Sequence, residues 1–213
     1  MAGLPAQTPE PDLPRPGTVL TADIAGSATV TNGDQRKPLK VDERIRIGAT
    51  VSTGRRSMLT LVLSNGAKVQ LGSDTELEIE EFGQAPQSGT TKFADLKEEP
   101  TISRTRLRLI RGDVQITVKP LKASRGSSFL LALLAGTVRT REGTFRAMIE
   151  MSDLGLGVCS IDLQNGMAEF EPAGGAFAPI PTGRKLSFAI EQDKRTGAVK
   201  LGEMPKATAP AKK

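Results

Sequence analysis

Apolar and polar residues alternate along most of the chain, and turn residues interrupt the alternation about every eight to twelve positions. A two-residue period is typical of β-strands with one buried face, because successive side chains of a strand point to opposite sides. The stretch RRSMLTLVLSNGAKVQL, residues 55–71, is an example. No long segment has the 3.6-residue period of an amphipathic helix. The pattern therefore predicts an all-β fold, in which antiparallel hairpins form a two-layer β-sandwich or a twisted, β-solenoid-like body.

Glycine-containing pairs predict where the chain reverses direction. Three pairs lie between alternating runs: Asn65-Gly66, Gly112-Asp113 and Asn165-Gly166. The first would supply the two positive φ angles of a type I′ hairpin turn. The apolar run FLLALL, residues 129–134, is too short for its period to distinguish a buried strand from a short helix.

The ends of the chain differ in composition from its centre. Residues 1–17 contain five prolines and predict an extended linker. Residues 18–202 predict one all-β domain, interrupted at 83–103 by a long loop without periodicity. Residues 203–213, EMPKATAPAKK, predict a disordered basic tail.

The residue types present exclude several classes of chemistry. The 213-residue chain has no histidine, tryptophan or tyrosine, so Ser-His-Asp triads, Cys-His pairs and imidazole metal sites are impossible. The single cysteine, Cys159, cannot form an internal disulfide, and we expect it to be a small buried core residue. We therefore expect no catalytic residue, cofactor or metal. A carbohydrate-active enzyme with two carboxylates stays open as a less favoured alternative.

An unusual set of cations stands on one predicted strand. Alternation places three arginines on one face and a fourth nearby: Arg104, Arg106, Arg108 and Arg111. They could bind an anionic partner, such as an envelope polymer, lipid head groups or an acidic protein. Alternatively, they could pair across strands with an acidic run of the same period: Glu76, Glu78 and Glu80. The net charge of +5 and the absence of aromatic motifs give no indication of specific nucleic-acid binding.

Several motifs, taken in order, resemble the FecR domain family. Residues 41–79, VDERIRIGATVSTGRRSMLTLVLSNGAKVQLGSDTELEI, resemble its glycine step and hairpin. LRLIRGDVQITV and AGTVRTREGTFRAMI resemble later strands, and IDLQNGMAEF and PTGRKLSF the last ones. The residues that carry the signature are Gly54, Asn65, Gly66, Gly143, Thr144 and Phe145. The resemblance implies a two-layered β unit for binding and scaffolding, without catalytic residues.

For Gly143-Thr144-Phe145, two interpretations exist. The three residues could form a contact site for a partner. Alternatively, the glycine could permit a bend or bulge while the phenylalanine fills the core.

The resemblance also implies a location and a leading function. The anti-sigma segment and membrane helix of the family's iron-uptake regulators have no counterpart here, which implies a free-standing extracytoplasmic module. The polar, proline-rich start of the chain suggests a mature secreted N-terminus, preceded in the precursor by a signal peptide. We expect a periplasmic or extracellular module that binds a protein or an anionic envelope partner. A structural envelope protein that self-assembles through strand edges is the alternative.

Overall fold

The computed structural model describes residues 15–87, 91–193, 196 and 199–202. Almost all the regular structure in these residues is β, which confirms the predicted fold class. The strands are β1 Arg15–Pro16, β2 Val19–Ala25, β3 Ala28–Asn32, β4 Gln35–Pro38, β5 Arg44–Ile45, β6 Thr50–Thr53, β7 Met58–Leu63, β8 Lys68–Leu71, β9 Glu76–Gln84, β10 Ser103–Val118, β11 Ser128–Leu133, β12 Gly136–Met151, β13 Leu156–Pro172, β14 Ala178–Pro179, β15 Lys185–Gln192 and β16 Val199–Leu201. Two short 3₁₀ helices are η1 Phe93–Asp95 and η2 Ala123–Arg125. Residues 1–14 of the predicted linker and the predicted tail, 203–213, lie outside the described residues, whereas Arg15–Pro16 pair with the end of β9.

The described strands form one hydrogen-bonded sheet that folds over into two layers. The first layer runs β4-β3-β6-β9 and continues through the first part of β10, β11, the first part of β12, the second part of β13 and β14. The second layer runs β5-β2-β7-β8 and continues through the second parts of β10 and β12, the first part of β13, β15 and β16. Buried residues of both layers form one core, among them Leu77 and Leu107 of the first and Leu61 and Ile116 of the second.

Three strands of 16 or 17 residues, β10, β12 and β13, belong to both layers. The turns predicted at Gly112-Asp113 and Asn165-Gly166 are therefore wrong, because the ladders continue through both positions. Gly112 pairs with Ile149, and Gly166 pairs with Gly143. The glycines lie instead where the long strands bend from one layer into the other, next to shifts in the pairing register.

Asn65-Gly66 does form a hairpin, but the predicted type I′ turn is wrong. The Leu63 N–H donates to the Ala67 carbonyl oxygen at 2.9 Å, so the loop has three residues, and only Gly66 has positive φ. This is the geometry of a type I turn followed by a left-handed residue. The Asn65 side chain is buried: its Oδ1 accepts from the Ala67 N–H, and its Nδ2 donates to the Ser103 hydroxyl. Asn65 thus fastens the hairpin to the start of β10.

The run FLLALL is a strand. It forms β11, which lies parallel to β10, in the register Arg104 opposite Ser128 to Arg108 opposite Ala132. The connection between the two strands, 119–127, contains η2. Phe129 and Leu131 point into the core and are fully buried.

The connection between β9 and β10, residues 85–102, covers part of the outer face of the second layer. Residues 88–90 lie outside the described residues. η1 contacts β7, and its half-buried Phe93 shares a pocket with the buried Val62. The strand β7 is therefore covered on both sides around Val62, whereas Met58 at its start is exposed.

A buried carboxylate fastens this connection to the body. Glu99 is fully buried and accepts hydrogen bonds from the Ser103 hydroxyl and, at 2.8 Å, from the Lys122 backbone N–H. The Lys122 ammonium in turn donates to the Glu99 carbonyl oxygen. These bonds join the end of the connection, the start of β10 and the segment before β11.

Cys159 is fully buried in the core, as predicted. Burial raises the pKa of its thiol from 9.0 to about 11, and a hydrogen bond with the Ala135 backbone opposes the shift only in part. A raised pKa means that the folded state favours the neutral thiol. The stabilisation from this preference is complete below pH 9.0 and is lost as the pH rises to about 11.

We expect the free energy of unfolding to fall more steeply between neutral pH and pH ~10 in the native protein than in Cys159→Ala. Urea unfolding of both proteins at both pH values measures the difference. The alanine variant loses core packing at every pH, so only the pH-dependent difference reports the thiol. Equal losses of stability in the two proteins would show that ionisation of Cys159 is not linked to folding.

Candidate binding surface

The four predicted arginines lie on the first part of β10. Alternation turns Arg104, Arg106 and Arg108 outward while Leu107 and Leu109 enter the core, and the register shift after Leu109 turns Arg111 outward. The neighbouring strand β9 alternates in the same way and turns its glutamates outward. The register sets Arg108 opposite Glu78 and Arg111 opposite Glu76. The outer face of the first layer therefore carries an acidic row beside a basic row.

Three of the arginines make ion pairs with this acidic row. Arg106 Nε lies 2.7 Å from Glu80 Oε2, and Arg111 Nε lies 3.1 Å from Glu76 Oε2. Arg108 pairs with Glu80 and, at 3.8 Å, with Glu78. Arg104 is exposed and has no ion pair among the described residues. The geometry matches the cross-strand pairing interpretation for three arginines, and the two rows largely neutralise each other.

β10 changes its partner strand near these arginines. Its pairing with β11 ends at Arg108, and its pairing with β12 begins at Gly112. On the edge of β10 that faces β11 and β12, no described strand pairs with residues 109–111. We call this position the β10 fork. Ile110 falls at a register shift with β9 and is 37% exposed.

A groove of about 810 Å³ opens at the β10 fork, and we call it the fork groove. Its apolar lining comes from three strands and the turn between β11 and β12: Leu109, Ile110, Ala132, Leu133, Leu134 and Met151. Its charged lining is Glu78, Arg106, Arg108 and Arg111. The groove thus combines aliphatic walls with three cations and one anion.

The hairpin between β12 and β13 lies beside the fork groove. Met151, at the end of β12, lines the groove. Gln192 also lines it, and the Gln192 N–H donates to the carbonyl oxygen of Gly155 in the hairpin at 2.8 Å. This hairpin exposes three aliphatic side chains: Leu154 by 82%, Leu156 by 53% and Val158 by 42%. We call these three residues the apolar hairpin. Exposed aliphatic clusters of this kind are typical of protein contact sites.

The family-signature residues lie away from the fork groove. Gly143 and Gly166 face each other where β12 and β13 change layers, and the fully buried Phe145 follows. Thr144 is a hydrogen-bonding residue there: its N–H donates to Asn165 Oδ1 at 2.9 Å, and its hydroxyl lies 3.1 Å from that of Thr117. The Gly54 N–H donates to the Ser27 carbonyl oxygen. With Asn65 and Gly66 in the hairpin, these positions support a structural role for the signature.

Sequence reasoning found the arginines but missed the fork groove and the apolar hairpin. Ile110 follows an alternating run and looks like an ordinary strand residue. Leu154 and Leu156 stand in the segment SDLGLG, whose glycines are typical of a turn. Aliphatic residues inside a turn segment were the signal that could have pointed to this surface.

The described part of the chain contains neither a metal-binding cluster nor a membrane-spanning helix. No cluster of three or more Asp, Glu or Cys side chains there is arranged to hold a metal ion. No helix in the same residues has the length and apolarity needed to cross a lipid bilayer.

Solved structures similar to this chain include two of a putative anti-sigma factor from Parabacteroides distasonis ATCC 8503, at 2.50 and 1.65 Å resolution. Each is 12% identical, with a TM-score of 0.47 over 72% of this chain and 59% of the other. The chain thus spans less than two thirds of the length of these relatives. No curated protein sequence matches it.

The family model described as "FecR protein" matches residues 49–169, which is more than half of the chain. The match begins one residue before β6 and runs through β10 and the Gly143 signature into β13. FecR-family proteins are non-enzymatic regulators that interact with proteins, and their FecR domains are typically periplasmic. The chain described here is a member of the FecR protein family.

Proposed function

We propose that the chain is a non-catalytic, extracytoplasmic binding module whose partner is a protein. The observation that carries this proposal is the apolar hairpin, which exposes Leu154, Leu156 and Val158 together. Desolvation of such aliphatic surface provides favourable free energy for association with another protein. Membership of a family of protein-binding regulators supports the same conclusion.

An anionic envelope polymer is the less favoured partner. A polymer of this kind would be held by unpaired cations on an extended surface. The arginines of β10 instead have glutamates beside them, and Arg106, Arg108 and Arg111 each make an ion pair. The arginine and glutamate rows therefore present little net charge to a long polyanion.

Self-assembly is a second candidate, and one strand edge favours it. β15 pairs with β16 only through Ile190–Gln192, so no described strand pairs with residues 185–188 on that side. The first layer ends at a different edge strand, β4. Its sequence is QRKP, and its cations and proline oppose the addition of another strand. This edge of β15, which no described strand covers, could accept a second copy of the chain.

The test is chemical cross-linking in the source organism's envelope, followed by a high-salt wash and mass spectrometry. We expect the wild-type chain to retain a defined protein, and the double variant Leu156→Ser/Val158→Ser to lose it. Met167→Ser and Val41→Ser are matched controls, because both remove an exposed aliphatic side chain elsewhere. Equal melting temperatures of all variants would show that they are folded.

Three results would contradict the proposal. Retention of the same protein by the double variant would exclude the apolar hairpin as the contact site. Recovery of polyanions alone, released by salt, would favour the envelope polymer. A concentration-dependent increase in mass by light scattering, without another protein, would favour self-assembly.

A further inference from the structure

We propose that the fork groove binds an extended, acidic segment of the partner protein, with its backbone against β10 and its aliphatic side chains in the groove. This inference rests on the proposed function and specifies the chemistry of the partner. It is carried by three features that coincide at the β10 fork: an unpaired stretch of strand, an aliphatic lining and arginine N–H donors that the ion pairs leave unused.

The first feature is the backbone of β10. Residues 109–111 are extended, and Leu109 and Arg111 pair with β9 on one side. On the other side the pairing with β11 ends at Arg108, and the pairing with β12 begins at Gly112. Backbone N–H and C=O groups at such a position need hydrogen-bond partners. An extended peptide can supply them by strand addition, and this requirement favours a polypeptide over a lipid or a polysaccharide.

The second feature is the lining of the groove. Ile110 is turned outward at the register shift, and Leu133, Leu134 and Met151 are only partly buried around it. Strand addition gives specificity through pockets that accept alternate side chains of the added segment. Aliphatic side chains at every second position of the partner would lie against these residues.

The third feature is the set of guanidinium donors that the ion pairs leave unused. Arg106, Arg108 and Arg111 line the groove with Glu78, whereas their other partners, Glu76 and Glu80, do not line it. A guanidinium has five N–H donors, and each ion pair uses only part of them. The side chains of Arg108 and Arg111 are 54% and 64% exposed, so they can still donate to carboxylates of a bound segment.

The test uses the full chain and a phage-displayed library of random decapeptides. We expect selected peptides to alternate Asp or Glu with Leu, Ile, Val or Met. Synthetic versions, measured by fluorescence anisotropy, should bind about tenfold more weakly to Arg111→Gln and to Ile110→Gln, and more weakly in high salt. Arg139→Gln is the matched control, because Arg139 also pairs with a glutamate, Glu169, but lies outside the groove.

Several results would overturn the inference. Selected peptides could lack acidic residues, or could bind the groove variants as tightly as the native protein. Binding of phosphatidylglycerol vesicles in place of peptides would identify a lipid as the occupant. Loss of peptide binding in Leu156→Ser/Val158→Ser, but not in the groove variants, would move the site to the apolar hairpin. In that case the proposed function would stand and this inference would fall. The proposed function itself would be contradicted if the wild-type chain retained no protein in the envelope cross-linking experiment.

Discussion

Replacing Phe145 with alanine is expected to lower the free energy of unfolding by about 3–5 kcal/mol. The side chain is fully buried, and it lies on β12 just after the strand has bent into the second layer. There Phe145 faces Ile116 on one side and Leu163 on the other. The neighbours are held by strands on both sides, so they cannot collapse into the space that the ring leaves. The loss therefore includes both transfer free energy and the cost of a cavity.

Guanidinium unfolding of the native protein and of Phe145→Ala measures this loss. Phe177→Ala is the control, because that ring is only half-buried and lies 4.0 Å beneath the guanidinium of Arg139. We expect the control to lose no more than about 1.5 kcal/mol, consistent with one cation–π contact and partial burial. Coincident unfolding curves for the native protein and Phe145→Ala would contradict the position of the ring in the core.

The second large effect is expected at the contact between Gly143 and Gly166. The two glycines pair across β12 and β13, with φ of +121° at Gly143 and +85° at Gly166. A Cβ atom on Gly143 would clash with the Asn165 carbonyl oxygen and the Gly166 Cα. Gly143→Ala should therefore destabilise by at least about 2 kcal/mol, because a strained φ and a backbone clash act together.

Gly33→Ala separates the two causes. Gly33 also has positive φ, +56°, but a Cβ atom there would meet nothing within 4 Å. We expect Gly33→Ala to cost about 1 kcal/mol, from the backbone conformation alone. If thermal and urea unfolding gave equal losses for the two variants, close approach of the strands would not explain the glycine at position 143.

The sequence was sufficient to predict those parts of the fold that depend on local alternation. Leu59, Leu61 and Leu63 share one face of β7 in the structure, as their spacing predicts. The pairing of arginines with glutamates also follows from equal periods on two strands, so it could be weighed in advance. Both are properties of short segments, in which side-chain direction is set by the two-residue period.

The bends in the long strands could not be predicted in the same way. Gly112 and Gly166 have the residue chemistry of a turn, and the same chemistry permits a bend within a continuous strand. Pairing with distant residues decides between the two, since Gly112 is held by Ile149 and Gly166 by Gly143. The same limit explains why the fork groove was missed, since it exists only because β11 lies parallel to β10 and then diverges from it.

The sharing of β10, β12 and β13 between the layers has a consequence for the integrity of the chain. Each layer is assembled from alternating pieces of sequence, so no continuous fragment corresponds to one layer. A break within any of these three strands would sever both layers, and neither could be expressed alone as a truncated domain. In proteins built from several such units, the whole two-layered domain is therefore the smallest piece that recombination could transfer intact.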